Sequence, residues 1–262
     1  MTILRSISLH FLGGDRTGTE RCGPERSTTT SYVGMIRNRI QTVEARINAA
    51  CKDSRRSRED ITLVAVTKTM NASTVHKAIT AGLTNFGENR IQEAQTKIPA
   101  VNDGRWHLIG HLQRNKARTA TQIFSLIHSV DSERLAQRLD NAREDRACAV
   151  LIQVNLTQNS SQGGVEPTNL RRLAMTIDRE TSLELHGLMT IGPMTASQST
   201  IRSCFQTLHN LRNELRNDLP NQPFNELSMG MTNDFELAIS EGSTIIRVGR
   251  AIFGDPTPPS GH

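Results

Sequence analysis

Leu63-Val64-Ala65-Val66-Thr67-Lys68 is an apolar, β-rich run that ends on a lysine. Continuous apolar runs of this kind suit strands buried on both faces, as in parallel sheets. Seven more follow, giving expected strands at 62–67, 84–87, 105–109, 125–130, 149–154, 183–188, 225–228 and 244–248. Helical periodicity fills the gaps at 72–82, 89–98, 113–121, 132–143, 167–180, 196–217 and 233–241. An earlier helix is expected over 35–50, where Ile36, Ile40, Val43 and Ile47 recur at steps of three and four. Strict alternation implies parallel pairing with right-handed crossovers. Eight such units favour a single, closed (β/α)8 barrel of the TIM type. An open doubly wound sheet is the alternative, weakened because no G-x-G-x-x-G follows the first strand. Local signals agree with the parse: Asn71 and Asp131 stand where helices should be capped, and Gly82 and Gly242 where they should stop.

The chain has 262 residues, 36% hydrophobic and 22% charged, enough for one large α/β domain. A net charge of +5 is too small to demand a nucleic-acid partner, and 3% aromatic content argues against base-stacking platforms. Cys22, Cys51, Cys148 and Cys204 form no C-x-x-C pair and read as free thiols of a reducing, cytoplasmic protein. No run approaches the roughly 18 apolar residues of a membrane span. Residues 1–34 lack periodicity and read as a disordered or non-native tail. Residues 35–254 form the barrel, and the Pro-rich 255–262 a flexible end.

Barrels carry functional groups at the C-terminal ends of their strands. The first strand ends on Lys68. A lysine buried among apolar neighbours has a lowered pKa, which frees its amine for a Schiff base. The bland reading is a snorkelling lysine paired with Glu88 or another rim acid. The last two strands run into Ser228-Met229-Gly230-Met231-Thr232 and Arg247-Val248-Gly249-Arg250. A helix expected near Asn233 would turn its N–H groups toward an anion there. Gly249 permits close backbone approach, and Arg247 or Arg250 adds charge-assisted hydrogen bonds. Thr232 read alone is only a helix cap. Asn89, after the second strand, is placed to hydrogen-bond nearby. A reactive lysine and an anion site on one rim describe a phosphorylated aldehyde, for which pyridoxal phosphate is the candidate. His107 and His111 have i, i+4 spacing but straddle a strand end, without an evident third ligand, so a metal site is not expected. His107 reads as a packed or rim histidine. The basic run Arg114-Asn115-Lys116-Ala117-Arg118 reads as a solvated helix face, with RNA or an acidic partner as the alternative.

Ala65-Val66-Thr67-Lys68, Phe86-Gly87-Glu88-Asn89, Trp106-His107-Leu108-Ile109-Gly110-His111-Leu112-Gln113, Gly187-Leu188-Met189, Leu227-Ser228-Met229-Gly230-Met231 and Arg247-Val248-Gly249 together resemble the pyridoxal phosphate homeostasis proteins. That family is similar to the N-terminal barrel of alanine racemases. The resemblance implies a fold-type III-like barrel without the racemases' extra β domain, and pyridoxal 5'-phosphate held as a Schiff base on Lys68. Ser228, Gly230, Met231, Thr232, Arg247 and Gly249 would surround its phosphate. It also implies a mostly monomeric protein of vitamin B6 balance that buffers the cofactor or delivers it to apo-enzymes, without established turnover. A weak amino-acid racemase is the alternative. Two positions depart from the pattern: Gln162 replaces an expected lysine, and Arg250 an expected small hydroxyl residue.

Overall fold

A computed structural model describes residues 27–101, 103–157, 162–193 and 195–254, with side chains from Val33 onward. Helix α1 (Ser27–Asp53) leads into β1 (Thr62–Val66). Then follow α2 (Ala72–Thr80), β2 (Asn85–Glu88), α3 (Ile91–Val101), β3 (Arg105–Leu108), α4 (Ala117–Ile123) and β4 (Leu126–Val130). The second half runs α5 (Glu133–Ala142), β5 (Ala149–Gln153), α6 (Pro167–Glu180), β6 (Glu184–Met189), α7 (Gln198–Arg216) and β7 (Glu226–Met231). It closes with α8 (Phe235–Ser240), β8 (Ile245–Val248) and α9 (Arg250–Phe253). The strands form a closed barrel in chain order, and closure is the parallel pairing of β1 with β8, Thr62 opposite Ile245 and Ala65 opposite Val248.

Strand alternation divides the core. Leu63 and Ala65 point outward to pack with α1, α2 and α9. Between them Val64 points inward to a small cluster with Leu126, Leu151, Met189 and Ile245. A second outer cluster lies under α4 to α7. Inside the barrel space is short: a Cβ on Gly87 would stand 2.9 Å from the Val64 side chain.

Helix ends follow local chemistry. The Asn71 side chain accepts from the Thr74 amide at 2.8 Å and caps α2. Gly82 and Gly242, at φ +104° and +96°, follow the ends of α2 and α8 in the left-handed region that halts a helix. Two expectations are corrected. Ser132, not Asp131, occupies the cap position of α5. And α1 starts at Ser27, so residues 27–34 are helical rather than tail. The Ser/Thr-rich start has no apolar stripe, which hid it from periodicity. The remaining tail and 255–262 lie outside the described residues. Ile36, Ile40, Val43 and Ile47 are the buried stripe of α1, which packs on α8 and α9 and across the seam where β8 meets β1.

Candidate functional site

Lys68 lies two residues beyond the end of β1, and its backbone is held on both sides. Thr67 is buried, and its hydroxyl donates to Glu88 Oε1 at 2.6 Å. The Thr67 carbonyl accepts from Lys97 Nζ at 2.7 Å. The Thr69 amide donates to Glu93 Oε2 at 3.0 Å, and Thr69 adopts φ +66°, unusual for a β-branched residue. The fastened turn presents Lys68 at the mouth.

Here two sequence expectations fail. The Lys68 side chain is exposed rather than buried among apolar neighbours. Nor does Glu88 pair with it. The buried lysine is Lys97 of α3, 6% exposed, with Nζ 2.7 Å from Glu88 Oε1 and 3.3 Å from Glu93 Oε2. Glu88 faces outward from the barrel, between sheet and helix. Burial raises its carboxyl above the usual range, against the hydrogen bonds from Lys97 and Thr67.

The ends of β7 and β8 adjoin that of β1, because Met231 pairs with Arg247 and Val248 with Ala65. Strand β7 runs three residues beyond the expected Ser228, through a register shift between Ser228 and Met231. Gly230 makes this possible: it sits at φ +94°, and a Cβ would stand 2.5 Å from that of Ala238. The helix expected near Asn233 therefore starts at Phe235, with Asp234 rather than Thr232 at its cap position. The Asp234 carboxylate accepts from the Met231 amide at 2.5 Å, and burial raises its pKa despite that bond and nearby Arg247. Thr232 is half-buried, and its carbonyl accepts from Arg46 Nη2 at 3.3 Å. Gly249 brings β8 against β1, where a Cβ would be 3.4 Å from the Val66 carbonyl oxygen. Arg250 opens α9 and is exposed.

Arg247 points into the barrel and is 5% exposed. Its Nη1 donates to the Ser228 carbonyl at 2.8 Å and hydroxyl at 2.6 Å, and its Nη2 to the Thr190 carbonyl at 2.8 Å. Burial lowers its pKa to about 10, opposed by Asp234, and it stays charged at neutral pH. Below it, His128 Nδ1 lies 2.9 Å from Ser228 Oγ, and His128 Nε2 lies 3.0 Å from His107 Nδ1. His107 is thus a buried interior residue. His111 is exposed at the mouth, 3.8 Å from Asp131, so the i, i+4 pair is divided between two environments.

Beyond β2, Asn89 is exposed and lines an open cleft of about 630 Å³ with Glu93, Gly110, His111 and Lys116. Gly110 is required there, since a Cβ would stand 2.3 Å from the Asn89 carbonyl oxygen. The Gln162 carbonyl accepts from Gln153 Nε2 at 2.8 Å, and its side-chain oxygen accepts from the Thr157 hydroxyl at 2.8 Å. Residues 158–161 lie outside the described residues. The basic run forms a 3₁₀ turn, Arg114–Lys116, and the start of α4, where Arg118 makes an exposed ion pair with Glu144.

All eight expected site residues, Lys68, Asn89, Ser228, Gly230, Met231, Thr232, Arg247 and Gly249, fall on one arc formed by β7, β8, β1 and β2. Sequence reasoning missed Lys97, Thr190 and His128. His128 carried a signal: it is a polar residue in step with inward-facing Leu126.

The family described as alanine racemase, N-terminal domain, matches residues 41–257. The chain is 36% identical to the pyridoxal phosphate homeostasis protein of Haemophilus influenzae over 225 residues, 84% of this chain and 95% of that protein. It is 39% identical to that of Pseudomonas aeruginosa over 226 residues, 85% and 96% of the two chains. The solved structure of PipY from Synechococcus elongatus with PLP bound is similar, at 35% identity and a TM-score of 0.75, covering 84% of this chain and all of PipY. With an eight-stranded parallel barrel and matches spanning nearly the whole of these relatives, the chain belongs to the pyridoxal phosphate homeostasis protein family.

Proposed function

We propose that this protein binds pyridoxal 5'-phosphate, holds it covalently through Lys68, and buffers it or hands it to enzymes that require it. One observation carries the reading: exposed Lys68 follows β1, the strand paired with β8, in a chain 35% identical to PipY, whose structure holds PLP. The residues present fit such a group. Neighbouring strands lie about 4.8 Å apart, so the ends of β1 and β7 are about 10 Å apart, which an extended lysine and a small phosphorylated aldehyde span together. Thr232, Gly249 and the adjoining backbone supply neutral donors for a phosphate, and Arg247 a fixed positive charge. The Met231 amide already serves Asp234.

When bound, the cofactor supplies an electron sink for carbanions. The protein's part is to bind and orient. Lys68 gives the amine, and the turn fastened by Glu88, Glu93 and Lys97 aims it. The exposed mouth supports exchange of the cofactor with solvent or with an apo-enzyme docked on the rim. Three buried cysteines without disulfides among the described residues support a cytoplasmic setting.

The match to a racemase domain favours weak racemisation as a second reading. A racemase needs acid–base groups on both faces of its cofactor. The chain's one tyrosine, Tyr32, belongs to α1, ahead of β1. The decisive measurement is the absorption spectrum of purified protein with added pyridoxal phosphate, then borohydride reduction and peptide mass mapping. A yellow band with the adduct on Lys68, lost in Lys68→Ala, is expected. Labelling scattered over surface lysines would refute the site. Multiple-turnover racemisation of an amino acid, abolished by Lys68→Ala, would replace the carrier reading with the enzymatic one.

A further inference from the structure

Five polar side chains cross the barrel interior from β2 to β8 in one hydrogen-bonded line. Asn85 Oδ1 lies 3.2 Å from His107 Nε2, and His107 Nδ1 lies 3.0 Å from His128 Nε2. His128 Nδ1 lies 2.9 Å from Ser228 Oγ, and Arg247 Nη1 lies 2.6 Å from the same oxygen. His107, His128, Ser228 and Arg247 are all buried. We infer that His128 and His107 are positioning residues for Arg247, acting through Ser228, and that both imidazoles are neutral with the proton on Nε2.

Counting protons sets the polarity of the line. Arginine only donates, so Ser228 Oγ accepts from Arg247. If Ser228 also accepted from His128, its own proton would have no acceptor in a fully buried site, a costly arrangement. Ser228 therefore donates to His128 Nδ1. That nitrogen is bare, so the proton of neutral His128 is on Nε2 and points at His107 Nδ1. His107 then carries its own proton on Nε2 and gives it to Asn85 Oδ1. Every donor in the line meets an acceptor.

The charges facing the line agree. Arg247 of β8 lies at one end and Arg105 of β3 lies near His107 at the other. The charge of Asp234 acts on Arg247, and no acid among the described residues acts on either histidine. Burial, with Arg105 adding to it, lowers His107 to about 4, so neither imidazole charges near neutrality. The line turns the Ser228 lone pairs toward Arg247. Held by Ser228 and Thr190, Arg247 has three of its five N–H groups occupied and two left for a ligand in a fixed direction. This role toward a ligand rests on the cofactor reading above; the tautomers do not.

The test begins with the full chain labelled with 15N-histidine, without ligand, using long-range 1H–15N correlation. Two neutral Nε2–H imidazoles that do not titrate from about pH 5 to about pH 8 are expected. A proton on Nδ1 of either residue would overturn the inference. Then pyridoxal phosphate is titrated into His128→Leu and His128→Asn. Leucine removes the acceptor for Ser228, and affinity should fall about tenfold or more. Asparagine returns an oxygen near the Nδ1 position and should restore most of it. Wild-type affinity in His128→Leu would overturn the inference. If His128→Leu does not fold, the wild-type spectrum decides. If wild-type protein takes up no pyridoxal phosphate, the proposed function fails while the tautomer result still stands or falls alone.

Discussion

Replacing Lys97 by methionine tests the arrangement behind Lys68. The Lys97 ammonium serves Glu88 Oε1, the Thr67 carbonyl and Glu93. Glu88 is fully buried, and its Oε2 has no partner among the described residues. Methionine matches the length of the lysine stem but leaves Glu88 with the Thr67 hydroxyl alone. Removing one partner of a buried ion pair costs about 3–5 kcal/mol, a large share of a typical stability of about 5–15 kcal/mol. Urea unfolding at neutral pH should report that loss. Adding Glu88→Leu should return most of it, to within about 1–2 kcal/mol of wild type, because no buried charge then remains.

The pH dependence has a definite sign. Glu88 has a raised native pKa, so it binds a proton more readily folded than unfolded. Its contribution to stability is fully present below the ordinary carboxylate range and is lost as pH rises through the raised native value. Without Lys97 the native value rises further. The deficit of Lys97→Met should therefore be largest near neutral pH and shrink toward about pH 5. The slackened Thr67 should also slow borohydride-trapped labelling of Lys68. A deficit under about 1 kcal/mol at neutral pH, or a double variant no more stable than the single one, would refute the reasoning.

Gly230→Ala forces a side chain into φ +94° and sets its Cβ 2.5 Å from Ala238, so thermal melts should show a loss of about 2–4 kcal/mol, with weakened ligand uptake at the rim. Wild-type stability would contradict the bulge-and-helix packing assigned to this glycine. Burial raises Cys148 and Cys204 to about 11, so their alkylation near pH 8 should be slow in native protein and fast in urea. Rapid native labelling at either site would contradict its burial.

Much of the barrel was legible because parallel strands covered on both faces leave continuous apolar runs. Ala149-Val150-Leu151-Ile152-Gln153-Val154 is one, and β5 occupies Ala149–Gln153, one residue less. The ends of β7 and α1 were not. The first depends on a bulge at Gly230 that only packing against α8 requires, and the second on helix residues without an apolar stripe. In the site, positions were legible and environments were not. Lys68 was correctly placed at a strand end and incorrectly taken as buried.

From the sequence alone come the alternation of strands and helices, the order of the barrel, and the set of residues at the C-terminal strand ends. Periodicity and turn chemistry are local properties, and parallel crossovers leave few topologies to choose from. Closure of the sheet decides the rest. It brings β8 against β1 across the length of the chain, and sets Arg247 on Ser228 and both above His128 and His107. It also buries Lys97 against Glu88 while leaving Lys68 in solvent. Which lysine is buried, and which hydroxyl meets which imidazole, depends on distances between residues far apart in sequence, and those exist only once the barrel has closed.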